Sequence, residues 1–363
     1  MTETSQPALN TEQAVRDILG TIDREREREI ILRRFGLFER KETLEQIGEL
    51  LGITRERVRQ LEKTVLTRLK MSAGQGELPH IPAIQARFVT ELTKHGNVAR
   101  VADLAAWVGI VDGRIEQARV AFLAQLCPEL TVIDEDDHYY LAACLSKVYD
   151  GKSLQTAVSK LVDAVKKLGE PSTIDKVAEA AGIGDETQAT ALASVSKQLA
   201  TLGGLWGLIK WPMVNPKNIR DKIYVILKQH GKHMHFNDIA AAIKQSDFKR
   251  KDVTTQAIHN ELIKDKRFVL VGRGIYALKE WGYKKGTVAD IIADVLRKEG
   301  GPLHRDEIVK RVLQSRYVKE TTILLNLQGK SQFKRVAKAT YTLDEENDDE
   351  TSGATPSAAS ATA

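Results

Sequence analysis

Residues 43–62 read TLEQIGELLGITRERVRQLE, and this stretch decides the fold of the N-terminal part of the chain. Thr43 is a natural N-cap residue, and Gln46 three positions later completes the capping-box pattern. Leu44, Ile47, Leu50 and Leu51 follow at helical spacing and predict the buried stripe of one helix. Gly52 and Ile53 supply a tight turn, and Thr54 caps a second helix whose Val58, Leu61, Val65 and Leu69 face inward. Two helices joined so tightly make a helix-turn-helix. Arg55, Glu56, Arg57, Arg59 and Gln60 are left on or near the outward side of the second helix's first half. Those types suit a reader of the DNA major groove: Arg bonds guanine O6 and N7, Gln addresses adenine, and Glu accepts from cytosine N4. The bland alternative is a solvated charged face. Its position directly after the turn, where base edges are reached, weighs against that alternative.

Upstream, residues 24–37 read REREREIILRRFGL, a helix with apolar Ile30, Ile31 and Phe35 that Gly36 closes. Downstream, one outline repeats four times at a spacing of about 65 residues, close to the smallest size that buries a core of its own. First helices fall at 86–95, 154–168, 219–229 and 288–298, and second helices at 101–107, 174–181, 236–243 and 304–312. Each copy ends in a pair of short apolar strands; in the third, Val269 and Val271 alternate against Ile275 and Ala277 around Gly272 and Gly274, a tight hairpin. Helix–helix–helix–hairpin is the winged-helix plan, with unrelated small helical bundles as the alternative. The fold class is therefore mainly α: tandem helix-turn-helix and winged-helix units with short β-hairpin wings. The boundaries read as 10–71 for the helix-turn-helix, 72–85 for a linker, and 86–146, 152–213, 217–284 and 286–343 for the winged units. An acidic, disordered tail is expected over 344–363.

The chain has 363 residues, 42% hydrophobic and 28% charged, with a formal net charge of +5. That mild total hides local extremes: residues 217–285 carry +9 and 286–343 carry +5, against −5 over 72–150 and −6 over 344–363. A unit of about 70 residues at +9 is a surface that nucleic acid attracts by counterion release. No run approaches the roughly 18 apolar residues of a membrane span, and no basic head precedes an apolar stretch at the N-terminus. The two cysteines, Cys127 and Cys144, are too few for a disulfide framework or a four-cysteine zinc site. A cytoplasmic, nucleoid-associated protein is expected, with no membrane partner, no cofactor and no structural metal.

Residues 43–62, with the Arg/Glu helix before them, resemble region 4 of the sigma-70 family of bacterial RNA polymerase subunits. In that family the second helix reads the −35 promoter element. The resemblance implies base-reading positions at Arg55, Glu56, Arg59 and Gln60, and DNA-backbone positions at Arg26, Arg34, Thr43, Leu44 and Arg57. It also implies double-stranded DNA as partner, and a grip on the flap of the polymerase β subunit through Ile30, Ile31 and Phe35. Two departures limit it. About 20 residues precede the motif, too few for the family's core-binding and −10-reading regions, so a complete sigma factor is not expected. Thr64 and Thr67 stand where cations are common.

Residues 217–284 resemble the HARE-type helix-turn-helix domain, a winged helix also found in the delta subunit of bacterial RNA polymerase, and 287–343 look like a divergent second copy. In the third unit Lys249, Arg250 and Lys251 precede the third helix and are read as phosphate contacts. Arg273, between two glycines at the wing tip, is read as a minor-groove contact. His233 and His235 have the His-x-His form of a zinc pair but no further ligand at a suitable spacing. Residues 134–137, four adjacent acids, read as the loop of the first hairpin, and Trp206 and Trp211 as wing-core aromatics. No phosphate-cradling Gly-rich loop, nucleophile elbow or His-Glu-x-x-His is present, so no enzyme and no small-molecule substrate are expected. The function read from the chain is a DNA-binding transcription regulator associated with polymerase. Two alternatives stay open: a polymerase-binding, sigma-competing protein whose winged units bind proteins, and the DNA-targeting component of a restriction or defence system.

Overall fold

A computed structural model describes residues 9–111, 113–283 and 286–344. The acidic tail expected over 344–363 lies outside them from residue 345 onward. Helix α1 (Thr11–Gly20) is capped by the Asn10 carboxamide, which accepts from Gln13 N at 3.0 Å. α2 (Glu25–Phe35) ends at left-handed Gly36, α3 (Leu44–Leu51) at left-handed Gly52, and α4 (Arg55–Gly74) follows. The α3–α4 pair is the expected helix-turn-helix, around a small core of Ile30, Ile47 and Val58.

Four winged helices follow. The first has α5 (Ile81–Lys94), β1 (Val98–Arg100), α6 (Val101–Trp107), α7 (Arg114–Leu126), β2 (Leu130–Ile133) and β3 (Ala142–Leu145). The second has α8 (Gly151–Leu168), β4 (Ser172–Thr173), α9 (Ile174–Ala181), α10 (Glu186–Val195), β5 (Leu199–Leu202) and β6 (Leu205–Leu208). The third has α11 (Ile219–His230), β7 (Met234–His235), α12 (Phe236–Gln245), α13 (Thr255–Lys264), β8 (Phe268–Gly272) and β9 (Ile275–Leu278). The fourth has α14 (Val288–Glu299), β10 (Leu303–His304), α15 (Arg305–Ser315), α16 (Glu320–Gly329), β11 (Phe333–Ala337) and β12 (Thr340–Leu343). In every copy the short strand after the first helix adds to the free edge of the last strand, giving antiparallel sheets ordered β1-β3-β2, β4-β6-β5, β7-β9-β8 and β10-β12-β11. The fold is thus mainly α with small hairpin sheets, as expected. The third strand of each sheet is the addition, because two or three residues carry no readable alternation.

The described residues part into two compact units between Asn215 and Pro216. Within the first, the helix-turn-helix and the first winged helix are not separate beads. One core joins Val15, Ile18 and Ile31 to Phe88, Phe122 and Leu123. The stretch read as a linker at 72–85 is largely structured: α4 runs to Gly74, α5 starts at Ile81, and Leu78, Ile81 and Ile84 are buried. Its Gly and Pro content suggested a loop, yet Pro82 sits in the first turn of α5, where a missing N–H costs nothing. Leu50, read as part of the buried stripe, is 56% exposed. At about 100° per residue it lies roughly a quarter turn from the direction shared by Leu44, Ile47 and Leu51. Residues 134–141 link β2 to β3 and lie on the second winged unit, where Tyr140 N donates to Val195 O at 3.0 Å and Lys197 N to His138 O at 2.7 Å. Both cysteines are free and buried. No helix among the described residues is long and apolar enough to cross a membrane.

Candidate nucleic-acid interface

The helix-turn-helix owes its geometry to local chemistry. The Thr43 hydroxyl accepts from Gln46 N at 3.3 Å while the Gln46 side chain accepts from Thr43 N at 2.9 Å, which fixes the start of α3. At Gly48 a Cβ would stand 2.7 Å from the Ile53 carbonyl oxygen, so the turn closes this tightly only over a glycine. The Thr54 hydroxyl accepts from Arg57 N at 3.2 Å and starts α4. Val58 is fully buried, and Arg55, Glu56, Arg57, Arg59 and Gln60 around it are all exposed. The four candidate base readers therefore do meet on one surface.

They are not idle there. The two Glu56 carboxylate oxygens accept from Arg59 at 2.9 and 2.7 Å, and one of them also accepts from Gln60 Nε2 at 3.3 Å. Arg55 pairs with Glu45 of α3 at 2.7 Å. Glu56, Arg59 and Gln60 stand at i, i+3 and i+4, so one carboxylate can hold both donors. The hydrogen bonds from Arg59 pull the Glu56 carboxyl down to about 2, and the same contact raises the Arg59 guanidinium. Beyond Gln60, Lys63 and Lys70 continue the exposed side of α4 in line with Arg59.

Residues 24–71 match the family model of sigma-70, region 4. Region 4 of sigma-70 is a DNA-binding helix-turn-helix that contacts the −35 element. RNA polymerase sigma factor sigB of Arabidopsis thaliana is 47% identical over 57 residues, 15% of this chain and 9% of that protein. RNA polymerase sigma factor SigA of a Bacillus species is 42% identical over 59 residues, 16% of this chain and 15% of its own length. The chain spans less than a sixth of these relatives, and its winged units lie outside the match.

The backbone candidates of the region 4 segment divide. Arg57 is exposed, with its guanidinium 3.4 Å from the Gln60 side-chain oxygen. Arg26 donates to the Leu51 carbonyl and ties α2 to the end of α3. Arg34 is a half-buried strut, 3.5 Å from Glu62 of α4 and 3.4 Å from the Glu42 carbonyl oxygen. Leu44 packs its side chain on the small core. Of Leu44 only the backbone N–H, in the unsatisfied first turn of α3, suits a phosphate.

The residues assigned to the polymerase flap need correction. Ile30 lies in the helix-turn-helix core, Ile31 in the core shared with the first winged helix, and Phe35 packs on Phe122 of α7 with ring centroids 5.1 Å apart. Ile30 and Ile31 are thus fully buried inside the fold, and Phe35 is partly covered by α7. The arginine that locks this packing was not legible in the sequence. Arg119 of α7 is buried, donates to the Leu37 carbonyl at 2.8 Å, pairs with Glu116 at 2.6 Å and Glu12 at 3.1 Å, and lies over the Phe38 ring. Nothing local distinguishes it from Arg114 five residues earlier.

In the third winged helix Lys249, Arg250 and Lys251 are exposed in the loop before α13. Their backbone is held from beneath by Lys222 of α11, a buried lysine whose Nζ donates to the Lys249 carbonyl at 2.8 Å and the Arg250 carbonyl at 2.6 Å. Burial depresses the Lys222 ammonium, with the nearby Arg250 charge adding to it. Arg250 itself adopts the left-handed backbone conformation, with φ of 54°. Lys222 was also invisible to pattern reading, since a lysine on a helix normally faces water. Arg273 is exposed at the β8–β9 turn. The His233 ring lies tilted against Tyr317 with centroids 4.2 Å apart, and the His235 ring accepts from Asn237 N at the start of α12, so each histidine has a partner within the fold.

Proposed function

We propose that this chain is a sequence-specific, non-enzymatic DNA-binding regulator of transcription that works alongside bacterial RNA polymerase in the cytoplasm. The first half of α4 enters the major groove of a −35-like element. The single observation that carries this reading is the exposed cluster of Arg55, Glu56, Arg59 and Gln60 on the second helix of a region 4 segment. The +9 third winged helix, with the loop Lys249–Arg250–Lys251 presented to phosphates, holds flanking DNA, in keeping with the HARE-like text of residues 217–284. Polymerase contact, on this reading, uses a face other than Ile30, Ile31 and Phe35.

The test is a mobility shift with a −35-like duplex and a scrambled duplex of equal length. Arg55→Ala and Gln60→Ala are each expected to reduce discrimination by roughly 1–3 kcal/mol, the worth of one good base contact. A wild-type protein that binds both duplexes equally would refute specific reading, and retention by core polymerase without any shift at low salt would favour a protein-binding role.

A further inference from the structure

The fourth winged helix distributes its charge unlike a unit that binds DNA through its third helix. That helix, α16, has one ionisable residue, Glu320, at its first position, and its exposed residues include Leu325 and Gln328. The cations come immediately afterwards: Lys330, Lys334, Arg335 and Lys338, with no carboxylate anywhere from Thr321 to Leu343. All four are exposed, and none forms an ion pair with a described residue. In the same unit Arg305 is matched by Asp306, and Arg311 by Glu299 and Glu307.

Lys334, Arg335 and Lys338 lie on the β11–β12 hairpin and its turn. β11 is an edge strand of its sheet, and past Phe333 every residue of it is exposed. A register shift between Arg335 and Ala337 and a left-handed Ala339 bend the tip. The Ala339 carbonyl accepts from Arg305 N at 2.8 Å, which fixes the tip to the start of α15.

Lysines on an edge strand have two physical uses: blocking edge-to-edge pairing, for which either sign of charge serves, and meeting a polyanion, for which only positive charge serves. A stretch from Thr321 to Leu343 with cations and no acid is what the second use requires. We propose that the β11–β12 wing, and not α16, is the DNA-binding element of the fourth winged helix, taking the phosphate backbone of duplex DNA on Lys334, Arg335 and Lys338. This rests on the DNA-binding reading above and assigns it a site.

The experiment uses the full-length protein and a random-sequence duplex titrated between about 50 and 200 mM salt, the range over which phosphate contacts are lost. Combined Lys334→Glu, Arg335→Glu and Lys338→Glu keeps the edge charged, so edge protection persists and the protein stays unaggregated. The slope of log affinity against log salt should become shallower by at least about 2.7, roughly 0.9 for each cation. Gln328→Glu, which puts an acid on α16, should leave the slope unchanged. An unaltered slope in the triple variant, while Lys249→Gln, Arg250→Gln and Lys251→Gln together still flatten it, would overturn the wing assignment and leave DNA binding standing. A slope reduced by Gln328→Glu and not by the wing variant would move the contact to α16 and overturn it too. Absence of wild-type binding at the lowest salt would sink the DNA reading itself, before any variant is compared.

Discussion

Glu56 is the one acid among the candidate base readers, and it holds Arg59 and Gln60 by hydrogen bonds in the free protein. On the proposed DNA-reading function, a base edge would have to compete with that carboxylate for both donors, which would make Glu56 a filter: a base is bound only if its hydrogen bonds replace those being broken. Removing the charge should therefore raise affinity and lower selectivity together. Glu56→Gln is expected to tighten binding to scrambled DNA several-fold and to shrink the ratio between −35-like and scrambled duplexes, as read by competition titration. Loss of affinity for both duplexes alike would show that Glu56 contacts the DNA favourably and does not act as a filter. The acid's titration sets the pH window. Its folded value lies below the ordinary glutamate range, so the contact with Arg59 is fully present above that range and is lost only as pH falls through it towards about 2. Discrimination that depends on the Glu56–Arg59 pair should accordingly be flat from pH 6 to 8. This residue-scale wiring was half legible: the residue types and their face were readable from spacing, while the partners were not, since Arg55 pairs across the turn with Glu45 and not along its own helix.

Among elements, what could be read ahead of the structure was what local chemistry dictates. The caps at Thr43 and Thr54, the left-handed ends at Gly36 and Gly52, and the four hairpins each rest on interactions within a few residues. What escaped depends on neighbours distant in sequence. The N-terminal helix packs at Ala14, Val15, Ile18 and Leu19, a spacing that does announce a buried helix, but not that α7 lies against it. Likewise Ile31 and Phe35 read as an apolar surface of a lone helix-turn-helix and proved to be covered. The tightest element-scale constraint is the approach of α3 to its own turn. Gly48→Ala puts a methyl 2.7 Å from the Ile53 oxygen, a backbone atom that moves only if the turn opens. The substitution favours helix by roughly 1 kcal/mol on propensity alone, so any net loss measures the clash. We expect a net destabilisation of about 1–3 kcal/mol, the usual range for overpacking, together with weaker discrimination between duplexes. A protein stabilised by Gly48→Ala in urea unfolding would show that the turn has room to yield.

Across the whole molecule, the location of charge and the location of burial point to a division of labour. The two C-terminal winged helices carry the +9 and +5 segments, whereas the first winged helix lies in the −5 segment and spends its surface on other parts of the same chain: α7 covers the region 4 segment, and its wing lies on the second winged unit. An acidic unit in that place is poorly suited to phosphates, and it is joined to the helix-turn-helix through a shared apolar core and one buried arginine. Arg119 is the test of that connection, because its guanidinium reaches the Leu37 carbonyl, Glu12 and Glu116 at once. Arg119→Ala removes a charged hydrogen bond to a buried carbonyl, worth on the order of 1.5–3 kcal/mol, while Glu12 remains solvated and adds little. The urea midpoint should fall by the corresponding amount, and hydrogen exchange should quicken along α2 around Ile31 and Phe35, whose cover α7 provides. Faster exchange confined to α7, with α2 still protected, would mean that the region 4 segment holds its own fold and that the first winged helix merely leans on it.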